Sequence, residues 1–191
     1  MTIDLNCDMG EAYGIYKCGD DAGIMPLISV ANVACGFHAS DPSVMRQTVR
    51  LAKQHGVRVG AHPSYPDRDG FGRRRMEMEG EELTACIIYQ VGALKGFLDA
   101  EGVALNHVKP HGALYGAAWH DETVARAIAR AAKAFDAPLM AMSGTGQGTW
   151  YQDEGVEVIW ETYVDLAYND DGEIVIPRQH DPVTAETAAA Q

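Results

Sequence analysis

Paired cysteines are missing from this chain. Its four cysteines, Cys7, Cys18, Cys35 and Cys86, form no Cys-x-x-Cys unit, which excludes a zinc ribbon and a dithiol redox motif. A chain of 191 residues can bury enough surface to fold without cross-links, so free thiols in a reducing cytoplasm are expected. No basic stretch followed by an apolar core opens the sequence, and no apolar run approaching a bilayer span stands out, so no membrane partner is expected. Positive charge is scarce as well. Fifteen Lys and Arg face 27 Asp and Glu, giving a net charge of -12 and a pI near 4.9. Nucleic acid and anionic lipid both require a basic surface, so neither fits as a partner. Several catalytic fingerprints are absent too: Gly-x-x-x-x-Gly-Lys-Ser/Thr, Gly-x-Ser-x-Gly and His-Glu-x-x-His. There is no internal repeat and no low-complexity linker.

What remains is a regular alternation of short apolar runs with amphipathic stretches, the pattern of a parallel α/β fold. Strands are expected over 2–6, 28–35, 57–61, 105–108, 138–142 and 156–160. Asp41 and Pro42 read as the N-cap and first residue of a helix running to His55, where Gly56 stops it. A second helix spans about 80–101, and a third runs from Ala113 to Phe135 with a break near Trp119. The segment 161–176 reads as loop, and 182–191 as a helix that stops before finishing. Eight βα units make a barrel of about 250 residues. Six units in one domain over 1–191 therefore imply a barrel lacking a C-terminal strand and helix.

Polar residues that a core does not need collect where these strands end. Strand one offers Asn6, Asp8 and Glu11, and strand two offers Asn32 and His38. Strand three leads to His62 and to a loop with Asp67, Arg73 and Arg74. Strand four ends in Lys109-Pro110-His111-Gly112, where Pro110 keeps Lys109 extended and Gly112 permits a tight turn. Strand six leads to Glu161 and Asp165. In a parallel barrel all these ends share one face. Each histidine taken singly reads equally well as a hydrogen-bonded structural residue, and Glu161 and Asp165 as solvated loop charges. Taken together they fit two chemistries. Asp8 with His38, His62 or His111 could hold a divalent metal that activates water. Alternatively, carboxylates act as base while Lys109 and the arginines hold an anionic substrate or phosphate. Gly144 to Gly148 is the nearest thing to a phosphate-binding loop, though it carries no lysine and reads more readily as an ordinary glycine turn.

Several blocks resemble the LamB/YcsF family in order along the chain. They are Asp4-Leu5-Asn6-Cys7-Asp8-Met9-Gly10-Glu11, the stretch Ala31 to Ala39 with Asp41-Pro42, and Gly60-Ala61-His62-Pro63. Gly70-Phe71-Gly72-Arg73-Arg74, Tyr89 to Leu94 and Val108 to Tyr115 complete them. The resemblance implies a distorted (β/α) barrel of the glycoside hydrolase and polysaccharide deacetylase type. It also implies opening of 5-oxoproline to glutamate with ATP and its usual Mg²⁺, together with two partner subunits of the allophanate-hydrolase type. For that reaction, residue type makes Asp8, Glu11, His38, His62, Lys109 and His111 the catalytic candidates. Asn6, Asn32, Arg73, Arg74, Glu161 and Asp165 are the candidates for substrate or phosphate. In a motif the family writes Glu-x-Phe-Ala-Asp-Arg-x-Tyr, Glu161, Asp165 and Tyr168 persist while Leu166 takes the arginine's place. The family pattern continues through a further strand and a His-Gly-Asp stretch beyond Gln191. The alternatives are a metal-dependent hydrolase acting alone and a non-catalytic subunit that only binds. Self-association into a homo-oligomer stays open.

Overall fold

The computed structural model describes residues 3–170, 172, 174–175 and 183–190. Six strands line up in sequence order in one parallel sheet: β1 (Asn6–Met9), β2 (Val30–Ala34), β3 (Arg58–His62), β4 (Leu105–Val108), β5 (Leu139–Met142) and β6 (Val158–Glu161). Sequential order with a helix between neighbours makes the sheet curl, and among the described residues β1 and β6 do not pair. The expected barrel is a half-barrel, a curled sheet with helices on its outer face.

Side-chain alternation explains why the sheet has one dry face and one polar face. The outward residues, such as Met9, Ala31, Val33, Val59, Ala61, Val108, Leu139 and Ala141, belong to the main apolar core. Their neighbours, Asn6, Asp8, Asn32, His62, His107 and Glu161, face the hollow of the half-barrel. The register slips between Val59 and Ala61 opposite β4. Gly60 lies at that slip, and a Cβ there would fall inside the His107 imidazole, so only glycine leaves room for that ring.

The helices follow the expected signals closely. After a short α1 (Asp21–Ile24) comes α2 (Pro42–His55), capped by Asp41, whose carboxylate accepts from the Ser43 and Val44 amides at 2.8 and 3.0 Å. Gly56 ends it in the left-handed conformation. The long α3 (Gly80–Glu101) buries Leu83, Ile87, Val91, Leu94 and Leu98. By length and mean hydropathy it meets the criterion for a membrane span, although no such run stands out in the sequence. Here that apolar side packs against α2, the sheet and α5 (Glu122–Lys133). The helix expected over 113–135 is two: α4 (Gly112–Ala117), a turn holding Trp119, then α5 capped by Asp121.

Past α6 (Gln147–Asp153) the structure departs from expectation. The segment read as loop carries a two-stranded antiparallel pair, β7 (Ala167–Tyr168) and β8 (Ile174–Val175). Strands of two residues leave no periodicity to detect. Ile174 and Leu166 pack there with Tyr115, Trp119 and Met142 in a small second core. The final helix, α7, covers Ala185–Ala190; Pro182 and Gln191 lie outside the described residues.

Candidate active site

The strand ends meet. Asp8 from β1, Glu11 just beyond it, His38 beyond β2, His62 at the end of β3, and Lys109 and His111 beyond β4 surround one polar centre. His38, His62, Lys109 and His111 are all buried, while the Asp8 side chain keeps 38% of its surface exposed. The centre is thus roofed by histidines and reached from solvent past Asp8.

Each imidazole is held by a specific backbone or carboxylate partner. His62 Nδ1 donates to the Lys109 carbonyl at 2.7 Å, and its Nε2 faces Asp8 Oδ2 at 3.3 Å. His111 Nε2 donates to the Phe71 carbonyl at 2.8 Å, and its Nδ1 lies 3.0 Å from His62 Nε2. His38 Nε2 donates to Glu11 Oε1 at 3.1 Å, while its buried Nδ1 has no hydrogen bond among the described residues. The His38 and His111 rings stack face to face, 3.8 Å between centroids and 3° apart in plane.

A second network supports the first. Lys109 Nζ donates to Glu161 Oε2 at 2.9 Å and to Asn6 Oδ1 at 3.1 Å. Asn6 also donates to Glu161 Oε2 at 3.2 Å, bridging β1 to β6 across the open side of the half-barrel. Tyr115 and Tyr163 hydroxyls donate to Glu161 Oε1 at 2.6 and 3.2 Å. Asn32 donates to Asn6 and Asp8, and its own carbonyl meets His107 Nε2 at 2.7 Å. A cavity of about 360 Å³ opens beside this network, with Asn6, Asn106, Met140, Ile159 and Glu161 in its wall.

Charge follows from these contacts. The crowded surroundings oppose the Asp8 carboxylate's charge despite its exposed edge, but His62 and Lys109 outweigh them and hold its pKa well below the usual range. Burial likewise opposes a charged Lys109, yet Asp8 and Glu161 drive its pKa up. Glu11 is pushed up, by burial first and by Asp8 second. His62 is depressed by burial but lifted further by Asp8 and Glu11, for a net rise. His38 and His111 fall to about 3, through burial and then the charge of His62. They are neutral at physiological pH.

The loop after β3 is the lid on this centre. Asp67 accepts from the Gly70 amide and from Arg74 Nε, both at 2.9 Å, which closes the loop on itself. Phe71 sits at φ 55°, a conformation non-glycine residues rarely adopt, and this aims its carbonyl at His111 and its ring edgewise at His38 and His111. Gly112, also at φ 55°, lets the loop approach: a Cβ there would lie 2.7 Å from the Gly72 carbonyl oxygen. The Arg68 guanidinium donates to the Ser40 and Gly36 carbonyls, tying this loop to the one after β2. From α3, Gln90 accepts from the Ser64 amide at 2.9 Å and donates to its carbonyl at 2.8 Å.

Not every residue singled out in the sequence lies here. Arg74 is engaged by Asp67, and Asp165 is exposed on the loop after β6. Arg73 is exposed at the rim, its guanidinium 5.3 Å from the Phe71 ring. Lys109 is enclosed with Glu161, so it presents no free ammonium to an anion. Sequence reasoning missed His107, Tyr115, Tyr163, Gln90 and Arg68. His107 carried a signal, the spacing His107-x-x-x-His111, but that chain is extended and broken by Pro110, so the two rings go to different partners.

A parallel βα sheet with convergent carboxylates and imidazoles at the C-terminal strand ends is the layout of a barrel-type enzyme. The chain belongs to the LamB/YcsF family, whose model matches residues 3–191. It is 52% identical over 194 residues to the 5-oxoprolinase A subunit of Symbiobacterium thermophilum, covering 99% of this chain and 74% of that protein. It is also 52% identical over 178 residues to the lactam utilization protein lamB of Emericella nidulans, covering 93% and 70%. The crystal structure of a lactam utilization protein from Thermus thermophilus superposes with a TM-score of 0.92 at 49% identity, over all of this chain and 78% of that one.

Proposed function

We propose that this chain is the A component of a multi-subunit 5-oxoprolinase, opening 5-oxoproline to L-glutamate with ATP. Support for the lactam comes from relatives that carry the name of that component. The observation that carries the chemical part is the convergence of Asp8, Glu11, His62 and His111 on one partly open centre. Amide resonance makes a five-membered lactam carbonyl a poor electrophile. Transferring the terminal phosphoryl group of ATP to its oxygen, with ADP leaving, makes the ring carbon electrophilic, a sufficient reason for ATP with Mg²⁺. Water then adds, the C–N bond breaks with nitrogen leaving as the amine, and the acyl phosphate is hydrolysed to carboxylate and phosphate. Water must then be deprotonated as it attacks. Glu11, with its pKa raised and an oxygen held by His38, is the best placed base. Asp8 stays ionised and holds His62, and Arg73 at the rim offers an exposed cation to a carboxylate or phosphate.

Two further subunits of the allophanate-hydrolase type complete the assembly in this reading, and four free thiols suit a cytoplasmic location. Kinship to deacetylase-type barrels belongs to the same proposal, since the half-barrel layout supports it. The test is co-expression with the candidate partner subunits and assay of glutamate formed from 5-oxoproline. Glutamate released only with ATP and all subunits is expected; ATP-independent release or none would reject the reading.

A further inference from the structure

We propose that Asp8, Glu11, His62 and His111 form a binding site for one divalent first-row metal ion, and that His38 stands outside its coordination sphere. This goes beyond the reading of the reaction and does not depend on it: Glu11 enters the site through Oε1, and its other carboxylate oxygen keeps the role of base proposed above.

Proton bookkeeping comes first. A carbonyl oxygen can only accept, so His62 carries its proton on Nδ1, facing the Lys109 carbonyl, and His111 carries its own on Nε2, facing the Phe71 carbonyl. In the neutral rings the other two nitrogens, 3.0 Å apart, both point lone pairs into the same space. Asp8 Oδ2 lies 3.3 Å from His62 Nε2, and Glu11 Oε1 lies 3.7 Å from His111 Nδ1. Four acceptors therefore converge. An extra proton on His62 Nε2 would face both Asp8 Oδ2 and His111 Nδ1 but leave the Glu11 and His111 acceptors opposed, whereas a cation replacing that proton meets all four.

The separations suit an ion. Bonds of about 2.0–2.1 Å in a tetrahedron place neighbouring donors about 3.3 Å apart, and the three separations above bracket that value. The rings of His62 and His111 stand at 85° to each other, so their lone pairs can cross at a point. Both rings also donate their remote N–H to a backbone carbonyl, the arrangement that orients histidine ligands in metal sites.

His38 has a ring nitrogen within 4.8 Å of the donor atoms of Glu11, His62 and His111, yet its orientation excludes it. Its ring lies parallel to His111 at 3.8 Å, so an ion in the plane of one ring is out of bonding reach in the plane of the other. Its Nδ1 has no partner among the described residues to orient it. Its contact is with Glu11, which makes His38 a positioning residue for that carboxylate. Two imidazoles and two carboxylates, with no thiolate, suit zinc, iron(II), cobalt or manganese.

The test uses the whole chain, stripped with a chelator and titrated with Zn²⁺ and with Co²⁺. Calorimetry reads stoichiometry, and the visible absorption of bound Co²⁺ reads the ligand set. One ion per chain is expected. His62→Asn, His111→Asn and Asp8→Asn should each lose at least a hundredfold in affinity, with circular dichroism verifying the fold. His38→Asn should keep one ion per chain with at most a severalfold loss in affinity, since it only positions Glu11. No stoichiometric binding to folded wild-type chain would overturn the proposal, as would a His38→Asn variant that loses the ion like His62→Asn. Because no substrate is present, failure here leaves the lactam reading standing, and failure of the glutamate assay leaves the ion site standing.

Discussion

Lys109 and Glu161 form a buried ion pair whose charges are shared with Asn6, Asp8 and two tyrosine hydroxyls. Deleting one partner of such a pair strands a charge in a low-dielectric interior, at a cost of about 3–5 kcal/mol. Lys109→Met should therefore lower the urea unfolding free energy by about that amount and the melting midpoint by on the order of ten degrees. Combining it with Glu161→Leu should restore part of the loss; simple additivity of the two single losses would contradict the pairing. It follows that Lys109→Ala confounds any activity assay with stability. Glu11 is the cleaner probe, since it sits at the solvent side of the centre with 16% of its side chain exposed and His38 as its hydrogen-bonded partner. Glu11→Gln should reduce glutamate formation by roughly 10²–10⁴-fold, the usual contribution of a general base, with the melting midpoint little changed. Near-wild-type turnover would remove Glu11 from that role.

At the scale of elements, two loops are locked over the strand ends by side chains from elsewhere in the chain, the loop after β3 by Gln90 and the loop after β2 by Arg68. Gln90 on α3 satisfies both backbone groups of Ser64, two residues beyond His62. Gln90→Leu leaves those buried groups unpaired, a penalty of about 1–3 kcal/mol for each. Faster hydrogen exchange at Ser64 is expected, with Asp41→Ala, which costs about 1 kcal/mol at a distant helix cap, leaving that amide protected. Equal exchange in both variants would deny Gln90 its role. These elements differ in how far the sequence reveals them. Helix α2 was legible because Asp41, Pro42 and Gly56 are local stop and start signals, and α3 because its apolar spacing is long. The β7–β8 pair was not, since Ile174 and Leu166 are fixed by packing against Tyr115 and Trp119 rather than by pattern. The roles of Gln90 and Arg68 were equally hidden, because contacts across 26 and 32 positions leave no local trace.

For the molecule as a whole, the decisive feature is that a curled parallel sheet brings residues from position 6 to position 161 to one rim. Parallel topology made that convergence readable from strand ends alone, and the cluster of Asp8, Glu11, His38, His62 and His111 was legible for that reason. What topology does not encode is which charges are spent on each other. Arg74 and Lys109 read as anion-binding cations, yet Asp67 and Glu161 already neutralise them. The half-barrel's open side, bridged by Asn6 and Glu161, lies next to the cavity and to the polar rim alike. If the proposed reaction runs at this rim, its base comes from this chain and not from the partner subunits. The most direct measurement is therefore ATP-dependent glutamate release from 5-oxoproline by the co-expressed complex, comparing wild type with Glu11→Gln in this chain. A measurable rate is expected in the wild type and a loss of at least a hundredfold in the variant. Equal rates from the two complexes would contradict the role proposed for Glu11.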